Sequence, residues 1–218
     1  MHLLVATSNR GKIVEIEHEL AAAGLLSDLT LLGLKDLPAG WPDVVEDRPT
    51  FLGNAAKKAR HFAQLSGYVT LADDSGLCVA ALGGAPGVLS ARYAGEPCDN
   101  AANNAKLRRE MASVPEEQRQ AKFVCAMALC APTTDSVGRR PSDGGIELAA
   151  MIDEVHGVIL RDLRGTHGFG YDPLFFHPPA GKTTAELPMA EKSQLSHRGK
   201  ALRRMIQWMR SNWGTLAG

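Results

Sequence analysis

The chain reads as an α/β protein, and three observations predict it. A short apolar run from Leu3 to Ala6 gives way to polar Thr7, Ser8 and Asn9, and then Ile13, Ile16 and Leu20 recur at helical spacing. A second apolar run from Leu29 to Leu34 follows, so the opening is strand, turn, helix, strand, the order of a βαβ-like unit. Two long apolar stretches, Phe123 to Ala131 and Ile146 to Val155, read as strands, and the chain closes on a helix with Leu202, Met205, Ile206, Met209 and Trp213 on one face.

The remaining elements follow from punctuation. Gly24 stops the first helix, and a Pro-rich stretch from Pro38 to Pro49 is a loop with Glu46 and Asp47 near its end. A helix begins near Thr50, places Phe51, Ala55, Ala59 and Phe62 on one face, and closes at Gly67. Tyr68 to Ala72 reads as a strand ending in Asp73-Asp74-Ser75-Gly76, and Leu77 to Leu82 resumes a strand-like pattern before the turn-rich Gly83-Gly84-Ala85-Pro86-Gly87. Asp99 caps a third helix that runs to about Ala112. Leu174 to Phe176 forms one more strand. The polar loop between the two long strands carries Arg139 and Arg140, which read as a solvated tip. No repeat, heptad array or linker interrupts the chain, so it reads as one domain over residues 1–218.

Composition narrows the function classes. The chain has 218 residues, 44% of them hydrophobic, with 24 Lys plus Arg against 24 Asp plus Glu. A zero formal charge disfavours non-specific binding to polynucleotides, which draws on a basic excess, but allows a local basic pocket for a small phosphorylated ligand. The four cysteines, Cys78, Cys98, Cys125 and Cys130, form no CxxC pair, and Cys125 and Cys130 read as small core residues. The first residues are too short for a signal-peptide core, and no run approaches the ~20 apolar residues of a membrane span. The expectation is a reduced, cytoplasmic protein.

Four clusters could carry chemistry. Thr7-Ser8-Asn9-Arg10-Gly11-Lys12 lies between a buried strand and a helix, whose N-terminus offers N–H groups and partial positive charge suited to a triphosphate tail. The spacing is not that of a P-loop. Asp73 and Asp74 place two carboxylates at a strand end, the hard oxygen donors that Mg²⁺ prefers and that can deprotonate a water; an ordinary Asp-Ser-Gly turn is the alternative. Glu46 is a candidate third acid. Gly165 to Pro173 holds three glycines and the aromatics Phe169 and Tyr171, a segment able to stack a ring on a flat ligand or to cover the core. There Asp172, held extended before Pro173, could accept hydrogen bonds from a base. Lys192, His197 and Arg198 lie just before and at the start of the last helix, as a phosphate or base contact or as a basic surface patch.

At these residues the chain resembles the inosine triphosphate pyrophosphatase family, the noncanonical purine nucleotide pyrophosphatases of the Ham type. The resemblance runs from about Leu3 to Met209 and is carried by Ala6-Thr7-Ser8-Asn9 with Lys12, Thr50-Phe51 with Asn54-Ala55 and Lys58-Ala59, and Ala72-Asp73-Asp74-Ser75-Gly76-Leu77. It continues through Leu82 to Gly87, Ser90-Ala91-Arg92-Tyr93, Gly168-Phe169-Gly170-Tyr171-Asp172-Pro173, Gly181-Lys182-Thr183, Ala185-Glu186-Leu187, Glu191-Lys192 and Ser196-His197-Arg198.

The resemblance implies a mixed α/β fold with a long central sheet flanked by helices, two lobes with an active-site cleft between them, and a homodimer. It implies a Mg²⁺-dependent enzyme that converts ITP, dITP and XTP to the monophosphate and pyrophosphate. Thr7, Ser8, Asn9, Arg10, Gly11 and Lys12 would hold the triphosphate, Asp74 would be the general base, and Glu46 and Asp74 would bind the metal with Asp73 nearby. Ser75 would touch the substrate and Phe169 would stack on the purine while Gly170, Tyr171 and Asp172 close round it. Lys192, His197 and Arg198 would read the base. A carbonyl at the six position suits these donors, whereas the amino group of adenine does not. Guanine shares the carbonyl, so its exclusion falls on its two-amino group.

Two positions depart from the family pattern. Gly53 stands where a glutamate is usual, which predicts a weaker helix start because Thr50 lacks its reciprocal capping partner. Ile152 to Gly157 replaces a more usual glycine-and-glutamate strand. Rival readings are a pyrophosphatase for modified pyrimidines, which His197 and Arg198 disfavour, and a nucleotide sensor without turnover, which Lys12, Asp73 and Asp74 disfavour. The Glu-rich helix of a Nudix hydrolase is absent.

Overall fold

The computed structural model describes residues 2–27, 29–38, 41–42, 44–134, 138 and 144–216, with residues 213–216 described by backbone alone. The βαβ opening is present. β1 (His2–Val5) leads into α1 (Arg10–Ala22) and then β2 (Thr30–Gly33), and β1 pairs in parallel with β2, Leu3 opposite Leu31. After α2 (Phe51–Ser66) comes β3 (Val69–Val79), which lies parallel on the other side of β1 with Leu4 opposite Thr70. The chain continues as α3 (Asn100–Glu110), β4 (Gln120–Ala131), β5 (Ile146–Ile159), β6 (Phe175–His177), β7 (Lys182–Thr183), α4 (Met189–Leu195) and α5 (His197–Leu216). The seven strands form one sheet in the order β2-β1-β3-β4-β5-β6-β7, with β6 antiparallel to both β5 and β7.

The described residues gather into two compact units. The first comprises Met1–Asp74, Ala126–Ile152 and Ala201–Gly218; the second comprises Ser75–Cys125 and Asp153–Lys200. Every boundary falls inside a strand or helix, β3, β4, β5 and α5 in turn. In the first unit Ala55, Ala59, Phe62 and Ala63 of α2 pack with Leu4, Ala6, Ala72, Ala128 and Cys130. Three of those four helix residues are alanines, so that face packs through small side chains. In the second unit Leu77, Val79, Leu107, Phe123, Val155, Tyr171 and Phe175 form the core. The expected stripe of α5 is buried at Leu202, Met205, Ile206 and Met209, while the side chain of Trp213 lies outside the described residues. Arg139 and Arg140 also lie outside them. Among the described residues no helix is long and apolar enough to cross a membrane.

The structure corrects one element. Asp73-Asp74-Ser75-Gly76 is not a turn: β3 runs unbroken from Val69 to Val79, and a 3-10 turn at Ala80–Leu82 replaces the rest of the expected second strand. A turn would have carried both carboxylates to water. Instead Asp73 and Asp74 are 1% and 5% exposed in the middle of the strand. Burial at that level requires partners for both charges, and these define the site described below.

A second polar group organises the other unit. Arg119, 2% exposed, donates from Nε to the carbonyl of Ile159 (2.6 Å), from Nη1 to Met111 (2.8 Å) and Val114 (3.2 Å), and from Nη2 to Leu160 (3.2 Å). One planar fork thereby satisfies four carbonyls at the end of α3 and the end of β5. Arg119→Met should leave those acceptors unpaired and lower the unfolding free energy by about 3 kcal/mol or more, read by urea denaturation. A loss under about 1 kcal/mol would show that water replaces the guanidinium without penalty.

Candidate active site

In the first unit, the phosphate-binding candidates surround the start of α1. Asn9 is extended and caps the helix, its Oδ1 accepting from the amides of Gly11 (2.9 Å) and Lys12 (3.3 Å), while its own N–H donates to Thr7 Oγ1 (3.2 Å). The expectation of open amides at this helix start is therefore corrected: Asn9 takes two of them, as N-cap asparagines do. Thr7 is buried, Ser8, Asn9 and Arg10 are exposed, and Gly11 and Lys12 lie between. Of the segment's side chains, those of Ser8 and Arg10 are exposed, while Lys12 reaches Asp73.

The acids sit beside this segment. Lys12 Nζ is 3.0 Å from Asp73 Oδ2. Asn54, fully buried on α2, donates from Nδ2 to Asp74 Oδ2 (3.0 Å) and accepts the Arg48 N–H on its Oδ1 (2.8 Å). Lys58, one helical turn on, is ion-paired with Glu46. Lys57 donates to the Val45 carbonyl and to Asp47 Oδ1, both at 2.8 Å. Residues 54, 57 and 58 thus share the face of α2 that grips the Glu46 loop. Asn54 and Lys58 were legible in the sequence only as matching residues without a role. Their i, i+4 spacing on the helix that follows an acidic loop was the available signal.

The charges set the proton affinities. Burial, reinforced by Glu46, pushes the Asp74 carboxyl up to about 6, against the opposing effects of the Asn54 hydrogen bond, Lys12 and Lys58. Burial works against the charge on Lys58, yet Glu46, Asp73 and Asp74 outweigh it and hold that amine above the ordinary lysine range. Among the described residues no group of three or more His, Cys, Asp or Glu is arranged to hold a metal. Mg²⁺ asks for less, one or two carboxylates together with substrate phosphates. Glu46 and Asp74 meet that demand: they are hard donors whose mutual repulsion raises the Asp74 pKa, a repulsion that a cation shared by the two would relieve.

In the second unit the base-reading candidates surround Phe169. The half-buried ring has Lys192 Nζ 5.0 Å and Arg198 Cζ 5.5 Å from its centroid. Lys192 Nζ also lies 2.7 Å from Asp172 Oδ2. That same oxygen accepts the Phe169 N–H (2.8 Å), and Asp172 Oδ1 accepts from Thr184 Oγ1 (2.8 Å). Internal donors reach both oxygens of this carboxylate, so in the structure it braces the loop. Tyr171 is buried, with its hydroxyl donating to the Ser90 carbonyl (2.8 Å). Arg198 Nη2 donates to Ser75 Oγ (2.7 Å), and the buried His197 ring stacks on Phe123 at 4.8 Å between centroids. The candidates of each unit are therefore gathered: Thr7 to Lys12 with Glu46 and Asp74 in one, and Ser75, Phe169, Gly170, Tyr171, Asp172, Lys192 and Arg198 in the other, with His197 packed beside Arg198.

The model of the Ham1 family matches residues 3–208. The chain belongs to the Ham1 family. It is 52% identical over 202 residues to the dITP/XTP pyrophosphatase of Geobacter sulfurreducens, with 92% of each chain covered. It is 42% identical over 214 residues to the dITP/XTP pyrophosphatase of Shigella flexneri, covering 96% of this chain and 98% of that one. The solved structure of a HAM1 protein from Coxiella burnetii is similar, with a TM-score of 0.80 at 34% identity, covering 97% of this chain and 99% of that chain. The Ham1 mixed α/β fold is thus shared across the length of the chain.

Two outcomes test this Ham1 site. Asp74 has a folded pKa above its ordinary value of 3.8, so its contribution to stability is complete below about pH 4 and is lost as pH rises through about 6. Asp74→Asn cannot ionise and should melt above wild type near pH 7.5 without divalent cations, at about 2–4 °C per kcal/mol gained. The gap should close towards pH 4, as followed by thermal unfolding in EDTA. The loop gives the second. A Cβ on Gly168 (φ +78°) would lie 2.1 Å from Asp172 Oδ2, whereas one on Gly170 (φ +61°) meets nothing within 4 Å. Gly170→Ala should cost about 1–2 kcal/mol for its left-handed backbone alone, and Gly168→Ala measurably more. Equal losses in denaturant would show that the Asp172 brace yields freely.

Proposed function

We propose that this protein hydrolyses noncanonical purine nucleoside triphosphates, ITP, dITP and XTP, to the monophosphate and pyrophosphate, and so cleanses the nucleotide pool. The observation that carries the reading is the buried pair Asp73–Asp74 with Lys12, Asn54, Lys58 and Glu46 around it. The dITP/XTP pyrophosphatases among its relatives support the substrate class.

The residues divide the work. Asp74, oriented by Asn54 and held near neutrality, takes the proton from a water that attacks the α-phosphorus, and pyrophosphate leaves. Lys12 and Lys58, together with the exposed hydroxyl and guanidinium of Ser8 and Arg10, offset the charge that grows on the leaving group. Glu46 and Asp74 would hold Mg²⁺, which when bound adds Lewis-acid neutralisation of phosphate charge. Phe169 offers a face to the purine ring. Lys192, His197 and Arg198 supply donors to a six-position carbonyl; lysine and arginine offer no acceptor for the amino group of adenine. The homodimer and the cytoplasmic setting belong to the same reading, and a monomer mass in light scattering would reject the first.

A product assay with ITP, XTP, ATP and GTP, with and without Mg²⁺, tests the reading on wild type and Asp74→Asn. The expected result is Mg²⁺-dependent IMP or XMP with pyrophosphate, little turnover of ATP or GTP, and a loss of about 10²–10⁴-fold in kcat for the variant. Release of inorganic phosphate as the first product would move the cut to the γ-phosphorus and sink the mechanism. ITP binding without turnover would make the protein a sensor.

A further inference from the structure

Phe169 lies between two glycines whose backbones are left-handed, Gly168 at φ +78° and Gly170 at φ +61°. Glycine populates many other conformations as readily, so the place of the ring depends on what ties the loop down. The Ala185 carbonyl takes the Thr166 and His167 amides just before it, and three side-chain hydrogen bonds act on residues 169–171 themselves. Asp172 accepts the Phe169 N–H, the Tyr171 hydroxyl donates to Ser90, and Asn104 on α3 donates from Nδ2 to the Gly170 carbonyl at 2.8 Å. The first comes from within the loop and the second fixes the residue after Gly170. Asn104 alone of the three brings a side chain from another element to the glycine beside the ring.

On the side facing α3, packing does not do this job. A cavity of about 340 Å³ lies there, lined by Asn104, Arg108, Leu163, His167, Phe169 and Pro173 among others. Asn104 itself stands on firm ground. Its neighbour Asn103 donates to the Ala91 carbonyl (2.8 Å) and accepts from the Ala94 N–H (2.7 Å), and Leu107 and Met111 are fully buried. The amide of Asn104 is oriented by a second bond from Nδ2 to the Asn100 carbonyl (2.8 Å), and this orientation leaves Oδ1 buried without a partner among the described residues. An unpaired buried acceptor is unfavourable. The side chain tolerates it in order to donate to Gly170.

We infer that Asn104 is a positioning residue for base recognition: from α3, through the Gly170 carbonyl, it holds the Phe169 ring in place for stacking. The inference rests on the proposed role of Phe169 and extends it to a residue that touches no substrate. Losing the tie weakens the ground state and the transition state alike, because both hold the same base, so KM rises and kcat stays.

Steady-state kinetics with ITP on wild type, Asn104→Ala, Phe169→Ala and the double variant tests this. Asn104→Ala should raise KM about tenfold with kcat within about twofold, and should add little once Phe169 is alanine, the coupling expected of two residues acting through one ring. Asn104→Asp keeps the side chain's size and removes the donor, and should repeat the KM effect if alanine unsettles α3. Hydrogen exchange supplies a readout free of turnover: the amides of residues 168–172 should exchange faster in both Asn104 variants while those of α3 do not. An unchanged KM, an equal KM rise with and without the Phe169 ring, or unchanged exchange at 168–172 would each overturn the inference. Absence of ITP turnover in wild type would instead refute the proposed function, and hydrogen exchange would still decide whether Asn104 holds the loop.

Discussion

Two consecutive carboxylates buried in mid-strand constrain this molecule more than any apolar contact does. Successive residues of a strand point to opposite faces, so Asp73 and Asp74 take different nearest partners, although Lys12 also acts on Asp74, and Lys58 on both charges, at longer range. Lys12 of α1 meets Asp73, and Asn54 of α2 meets Asp74. The helices on which these partners stand are thereby placed by charge as well as by apolar packing. Asn54 then reaches the Glu46 loop through the Arg48 N–H, and Lys58 reaches it through Glu46 itself. One buried acidic pair therefore governs α1, α2 and the loop before α2. Removing a single partner would leave a charge without compensation in a dry place, which is the costly way to break such a cluster.

The second unit solves a like problem with the opposite sign. Lys192 is almost fully buried and lies against the face of Phe169, with Asp172 as its counter-charge. The carboxylate that neutralises it also holds the Phe169 N–H, so the charge pair and the loop conformation are one object. This explains why Gly168 admits no side chain: the space a Cβ would fill is occupied by the Asp172 oxygen. The Lys192 charge and the backbone geometry are coupled here by crowding, and Lys192 cannot shift without disturbing the turn that presents the ring.

How much of this was legible in the sequence depends on the kind of signal. β1, the presence of α1 and the buried face of α5 were legible from apolar periodicity, although α1 also buries Glu15 and Glu19, which that pattern does not mark. β3 was misread because Asp-Asp-Ser-Gly has the composition of a turn, and nothing local says that its carboxylates have partners; those partners, Lys12 and Asn54, lie far away in the chain. Arg119 escaped for the same reason, since its four carbonyls come from segments up to 41 residues away. Family resemblance pointed to Asp74, Phe169 and Lys192, and the structure buries the first and the last among charged or polar partners. It did not reveal that Asn9 closes its own helix start or that Asp172 is already occupied, because a residue's identity does not state which of its hydrogen bonds are made internally.

Gly53 shows how a departure from a family pattern can be compensated in place. Read from the sequence, its missing side chain weakens the start of α2. In the structure Thr50 still caps the helix, its Oγ1 accepting from the Gly53 N–H at 3.1 Å. A Cβ at Gly53 would lie 2.9 Å from Arg48 Cβ and 3.0 Å from Thr50 Oγ1. The absence of a side chain is thus what lets Arg48 fold over the first turn, and Arg48 is the residue whose N–H Asn54 holds. Glutamate at this position would provide a reciprocal cap only by displacing Arg48, and with it the anchor of the loop that carries Glu46. In this chain, then, the loop's approach to α2 and the capping box compete for the same few ångströms, and the structure resolves the competition in favour of the loop that serves the acid cluster.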